Sequence, residues 1–229
     1  MVKAALAPTT AAPDGMIRRR TLPGGGRIGW LVGKPLFWGV ILAAAFGIPL
    51  GRSVLAPAPV PPPILATLPA LALTDQNGAA FGTKDLAGKT WVANFIFTTC
   101  AGPCPVLTQK MAGVVKRGRQ LGNEFHAVSF TVDPERDTPE TLAAYAARHG
   151  ANLRRWSFVT GPMEAVQAAV VDGFKIGMGR EKRGDFWDVF HGEHFVLVDR
   201  QLRIRGYYEA SPEGLDKLMA DVGYVVNNG

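Results

Sequence analysis

The chain has 229 residues and a formal net charge of +6, but the excess is confined to one end. Lys3, Arg18, Arg19, Arg20, Arg27, Lys34 and Arg52 face a single acid, Asp14, while bases and acids balance from residue 53 onward. That distribution excludes a basic nucleic-acid-binding face on the folded part.

Residues 1–27 read as a basic N-terminal segment. From Ile28 to Leu55 the chain is apolar apart from Lys34 and Arg52, long enough for a membrane-spanning helix of roughly 20 residues. Trp30 and Trp38 fit the interfacial aromatic pattern. Bases precede the apolar core and only Arg52 closely follows it, so the positive-inside rule predicts a cytoplasmic N-terminus and a domain on the outer side. A cleaved signal peptide is the competing reading. Its small-residue site, Val54-Leu55-Ala56, is followed by Pro57, which disfavours cleavage, and no cysteine stands there to accept a lipid. The triple arginine lacks the rest of a twin-Arg signal. Residues 56–66, beginning Ala-Pro-Ala-Pro-Val-Pro-Pro-Pro, predict a stiff, extended linker.

Residues 67–229 suit one domain with a substantial core. A strand is predicted over Leu68–Leu73, then a hairpin turn at Asp75-Gln76-Asn77-Gly78. The apolar run Trp91–Phe97 has the character of a central strand buried on both faces. A helix from Pro103 to about Leu121 follows, then a strand over His126–Val132. Thr138-Pro139-Glu140 opens a helix that Gly150 ends. Trp156–Val159 is predicted as a strand and Glu164–Phe174 as a helix. Phe195–Val198 and Arg203–Tyr208 form a hairpin across Asp199-Arg200-Gln201, and Ser211-Pro212-Glu213 caps a last helix to about Val222. Strands alternating with helices, then a hairpin and a final helix, predict an α/β, thioredoxin-like sandwich with a central mixed sheet, preceded by one transmembrane helix.

Cys100 and Cys104 are the only cysteines, and they stand where the strand Trp91–Phe97 gives way to a helix. Thioredoxin-like proteins hold their reactive sulfurs at such a junction. Ala101-Gly102-Pro103 separates the pair, as if one residue were inserted into a Cys-Gly-Pro-Cys turn. With Cys104 in the first helical turn, i, i+4 spacing lets both sulfurs face one side. Two converging thiolates are soft ligands for Cu(I), and they can also close a disulfide. Copper needs a third donor. His126 and His149 lie at the edges of periodic segments and read as ordinary polar residues. His191 and His194 share a loop, Phe190-His191-Gly192-Glu193-His194, and either could serve. Met178, in a glycine-rich basic stretch, reads as loop rather than ligand.

Three separated motifs then occur in order: Phe95-Ile96-Phe97-Thr98-Thr99-Cys100 with Cys104-Pro105, Thr131-Val132-Asp133-Pro134-Glu135-Arg136-Asp137-Thr138-Pro139, and His191 through Phe195-Val196-Leu197-Val198-Asp199 to Tyr208. Together they resemble the Sco/SenC family of membrane-anchored, thioredoxin-like copper proteins, over about Leu68 to Val222. The resemblance implies a copper site made of Cys100, Cys104 and His191, with His194 at a strand edge. It implies delivery of copper to the copper-site subunit of a respiratory cytochrome c oxidase and supply by a copper-donor chaperone. Asp133 is a candidate to support the histidine from behind or orient its loop, with a plain turn role as the alternative. Asp137 reads as a turn residue before the Thr138 cap.

A thiol–disulfide oxidoreductase that keeps oxidase cysteines reduced is the alternative, and it would not need the histidine. A peroxiredoxin-type peroxidase would require Pro at 93 and Thr at 97, where the chain has Ala93 and Phe97. A structural disulfide across so short a loop would stabilise little.

Overall fold

The computed structural model describes residues 34–55, 60–100, 102–177, 179–183, 186–190 and 194–229. The chain divides into two compact units, Met1–Ala58 and Pro59–Gly229.

In the first unit, α1 (Pro35–Leu55) is a 21-residue helix with no acid in its first turn and Arg52 in its last. An ideal helix of that length spans roughly 31 Å, matching a hydrocarbon core of about 30 Å. Pro35–Arg52 has a mean hydropathy of 1.4, so α1 is long and apolar enough to cross a membrane. The helix begins later than the predicted Ile28, and residues 28–33 lie outside the described part.

The second unit runs β1 (Ala66–Thr67), β2 (Ala72–Asp75), β3 (Ala80–Gly82), α2 (Thr83–Leu86), β4 (Thr90–Ile96), α3 (Pro103–Arg117), a 3-10 segment (Gly118–Glu124), β5 (Phe125–Thr131), α4 (Pro139–Arg148), β6 (Trp156–Thr160), α5 (Met163–Gln167), β7 (Gly179–Arg183), β8 (Phe186–Phe190), β9 (His194–Val198), β10 (Arg203–Glu209) and α6 (Pro212–Asn228). Among the described residues, an eight-stranded sheet has the order β1-β10-β9-β4-β5-β6-β2-β3, and β7 and β8 form a separate ribbon. β4, β5 and β6 are parallel neighbours and the other pairings are antiparallel, which makes the central sheet mixed.

β4 is buried along its whole length, as its apolar run predicts. Trp91, Ala93 and Phe95 point to one face, where Phe130, Val170 and Phe174 pack. Val92 and Ile96 point to the other, under α3, α4 and α6 through Leu107, Met111, Tyr145, Leu218 and Val222. Helices α4 and α6 start as predicted: Thr138 Oγ1 accepts from the Thr141 N–H at 3.3 Å and Ser211 Oγ from the Gly214 N–H at 3.0 Å.

Four predicted elements differ in extent. The strand predicted over Leu68–Leu73 forms only from Ala72, as β2, with the separate two-residue β1 before it; Pro69 between them has no N–H to give a sheet. The helix predicted to about Leu121 tightens at Gly118, where a Cβ would lie 2.6 Å from the Phe125 ring. The helix predicted over Glu164–Phe174 is regular only to Gln167 and then widens into a π-turn over Ala168–Gly173. The last helix runs beyond Val222 to Asn228, because Val225 and Val226 continue its buried stripe.

The proline-rich segment predicted as a linker to residue 66 is held by the domain from Pro62 onward. The Pro62 carbonyl accepts from Arg205 Nε at 3.1 Å and Nη2 at 2.7 Å, and the Leu65 N–H donates to the Ile204 carbonyl at 2.9 Å.

Candidate metal centre

Because β4 and β5 run parallel and in register from Thr90↔Phe125 to Ile96↔Thr131, their C-terminal ends lie side by side. The cysteine loop leaves one end and the acidic turn leaves the other. β9 is antiparallel to β4 with Ala93 opposite Val196, so β9 starts at this same end with His194. Open α/β sheets build their sites at such an end.

After Ile96 the chain turns through Phe97-Thr98-Thr99, and the Cys100 N–H donates to the Phe97 carbonyl at 3.2 Å. Gly102 caps α3, with Pro103 at its first position. A Cβ on Gly102 would lie 4.0 Å from Cys100 Sγ, so the cap passes close beside that sulfur. Cys104, in the first turn, is fully buried among Leu107, Met111 and Phe195, while Cys100 is half-buried against the same cluster. Both are thiols, and their side chains are hydrogen-bonded to each other. Burial first, then the hydrogen bond with Cys100, pushes the Cys104 thiol far above the usual value, against a backbone hydrogen bond at Phe97 that pulls the other way. A thiol so placed keeps its proton at neutral pH until a cation replaces it.

A layer of polar side chains lies behind the pair. Asp137 is fully buried, and its carboxylate accepts from the Thr98 N–H at 3.1 Å, from Thr98 Oγ1 at 2.5 Å and from Thr131 Oγ1 at 2.5 Å. Burial raises the Asp137 carboxyl above its ordinary value, the threonine hydrogen bonds oppose that, and the Asp133 carboxylate adds to it. Tyr145 Oη lies 2.7 Å from Thr108 Oγ1, in a buried contact. Burial raises the Tyr145 hydroxyl, and the cysteines and Asp137 add to that, which puts all four side chains in one electrostatic neighbourhood.

Asp133, the predicted supporting acid, is fully buried in the turn after β5. Its N–H donates to Thr131 Oγ1 at 3.0 Å, its carbonyl accepts from the N–H groups of Arg136 and Asp137, and its carboxylate is 3.5 Å from Arg136 Nη1. Asp137, predicted only as a turn residue, is the acid that bonds the cysteine loop. Its signal in the sequence was weak: an acid before a Thr-Pro cap, four residues beyond Asp133. Thr108 was more legible, one helical turn beyond Cys104 on the same face.

His191, predicted as the third ligand, lies outside the described residues, as do Met178 and Gly192. His194 begins β9, half-buried opposite Glu209. Of the histidines read as ordinary, His126 Nε2 lies 2.9 Å from Ser157 Oγ, and the His149 ring packs at a tilt against Tyr145 with ring centroids 4.4 Å apart. Among the described residues no three His, Cys, Asp or Glu side chains gather into a metal-binding cluster. The donor set there is therefore two adjoining sulfurs, soft enough for Cu(I), with a third donor to come from outside it.

A family model described as SCO1/SenC matches residues 66–226. A protein of Stutzerimonas stutzeri, described as a candidate copper-binding protein, is 30% identical over 163 residues, covering 70% of this chain and 78% of that one. The crystal structure of a SCO1/SenC family lipoprotein from Bacillus anthracis str. Ames matches with a TM-score of 0.64 at 31% identity, covering 70% of this chain and 95% of the other. BsSco, a Sco-family cytochrome c oxidase assembly protein in which a disulfide switch is identified, matches with a TM-score of 0.65 at 26% identity, covering 74% and 99%. The domain has the thioredoxin-like fold of these structures.

Proposed function

The chain belongs to the SCO1/SenC family, and from that premise we propose that it carries copper to the copper centre of a respiratory cytochrome c oxidase during assembly. Copper is cargo in this reading. Cys100 and Cys104 bind it as thiolates and His191 adds a neutral imidazole. The observation that carries the reading is the contact between the two thiols at the start of α3, at the sheet end where β9 also begins. Two thiolates and an imidazole prefer copper over hard cations, and a structural zinc site would take a fourth ligand. Loading exchanges the two thiol protons for one Cu(I). The copper-binding description of the Stutzerimonas relative and the oxidase-assembly role of BsSco support the same reading. In it, α1 anchors the chain with its basic N-terminus in the cytoplasm and the domain on the outer side, where a copper donor and the oxidase subunit meet it.

A second reading, thiol–disulfide exchange with the oxidase cysteines, is favoured by the same thiol contact and by the disulfide switch of BsSco. Anaerobic Cu(I) titration of the full chain in detergent against a competing chelator separates the two. Stoichiometric binding that is lost in His191→Ala and in Cys100→Ser/Cys104→Ser but kept in His194→Ala is the expected result. Binding that ignores His191 would overturn the three-ligand site and shift the weight to dithiol chemistry.

A further inference from the structure

Asp137 is more than the turn residue its sequence position suggests. Its carboxylate is fully buried and bonds Thr98 and Thr131, which lie in segments that frame the cysteines. Thr98, two residues before Cys100, gives it both the backbone N–H and the hydroxyl. Thr131, the last residue of β5, gives it a second hydroxyl. Its own N–H donates to the Asp133 carbonyl at 3.0 Å, which fixes the carboxylate at the end of the acidic turn. Within the loop between β4 and α3, the Cys100 N–H donates to the Phe97 carbonyl. A charged acceptor holding two donors of one residue fixes that residue's position and orientation together.

We propose that Asp137 is a positioning residue for the cysteine pair: by gripping Thr98 it fixes the loop that presents Cys100 to Cys104. The proposal rests on the reading of Cys100 and Cys104 as the functional pair, but not on which metal they take. A buried carboxylate bonded to this loop holds the separation of the two sulfurs in a segment that ends at glycine and proline.

The test reads that separation directly. In exchange with glutathione disulfide, an S–S bond forms between Cys100 and Cys104 as the glutathione S–S bond breaks. The chain loses two electrons and two protons, and two molecules of reduced glutathione leave. The equilibrium constant is an effective concentration of one thiol at the other, which global stability alone does not change. The full chain in detergent would be equilibrated in glutathione buffers and the oxidised fraction measured by thiol trapping, with thermal unfolding in parallel. In Asp137→Asn the constant is expected to fall about tenfold, roughly 30 mV for a two-electron couple. In Thr98→Val, which keeps the N–H bond and loses the hydroxyl, it falls by less, and the double variant is no worse than Asp137→Asn alone. A folded Asp137→Asn protein with the wild-type constant would overturn the proposal. Should that variant not fold, Thr98→Val decides alone, and a wild-type constant there overturns it equally. The Cu(I) titration of the cysteine variants is scored separately, so the copper reading and the positioning role can fail independently.

Discussion

His126 sits on β5 beside Ser157, and burial, reinforced by the Lys89 charge, lowers its imidazole to about 4. An unfolded histidine titrates near 6.5, so the fold favours the neutral ring. The resulting stability is fully present above about pH 6.5 and is lost as pH falls toward 4. Its size is on the order of 2–3 kcal/mol, with some screening allowed for a residue that is not fully buried. The urea midpoint should therefore drop between pH 7 and pH 4.5, and His126→Gln should lose much of that drop. An equal drop in both proteins would show that other groups carry it. At this scale the sequence made the cysteines legible, because a lone pair at a strand–helix junction has few other uses. It did not make Asp137 or the state of His126 legible. Asp137 bonds Thr98 across a parallel strand pair, and His126 is neutral because the fold buries it beside the Lys89 charge, so both depend on register that periodicity does not reveal.

Helix α3 tightens at Gly118, where the Phe125 ring occupies the space a side chain would need. Gly118→Ala should cost about 1–3 kcal/mol of unfolding free energy, the range for overpacking a filled core. Phe125→Leu in the same background should restore part of it. A midpoint unchanged in Gly118→Ala would show that the ring moves aside freely. Elements with caps and an apolar stripe, such as α4 and α6, were legible down to their first residues. Those whose ends depend on contacts were not: α3 stops where a ring arrives from β5, and the helix after Pro162 widens where Ala169, Val170 and Phe174 fill one face of the sheet.

For the whole domain, the decisive join is at its N-terminal edge. Arg205 is nearly buried between Asp199, at 3.0 Å, and the Pro62 carbonyl. A soluble fragment starting at Pro59 should be more stable than one starting at Ala66 by about 1–3 kcal/mol, because the shorter one leaves a buried guanidinium short of an acceptor. Equal denaturation midpoints would show that water replaces Pro62 at no cost. The sandwich itself was legible from the order of its elements, whereas the docking of Pro62 was hidden in a proline-rich stretch that composition assigns to a spacer. The same join has a mechanical consequence. A pull on the N-terminal side of the domain meets the Pro62–Arg205 hydrogen bonds and then β1, a two-residue edge strand three places from β4 in the sheet. It would peel away before load reached the strand that carries the cysteines. Freeing residues 62–67 would lengthen the leash by about 20 Å, at roughly 3.3–3.6 Å per residue. The edge is thus stored slack, paid out under tension while the thiol pair stays unloaded.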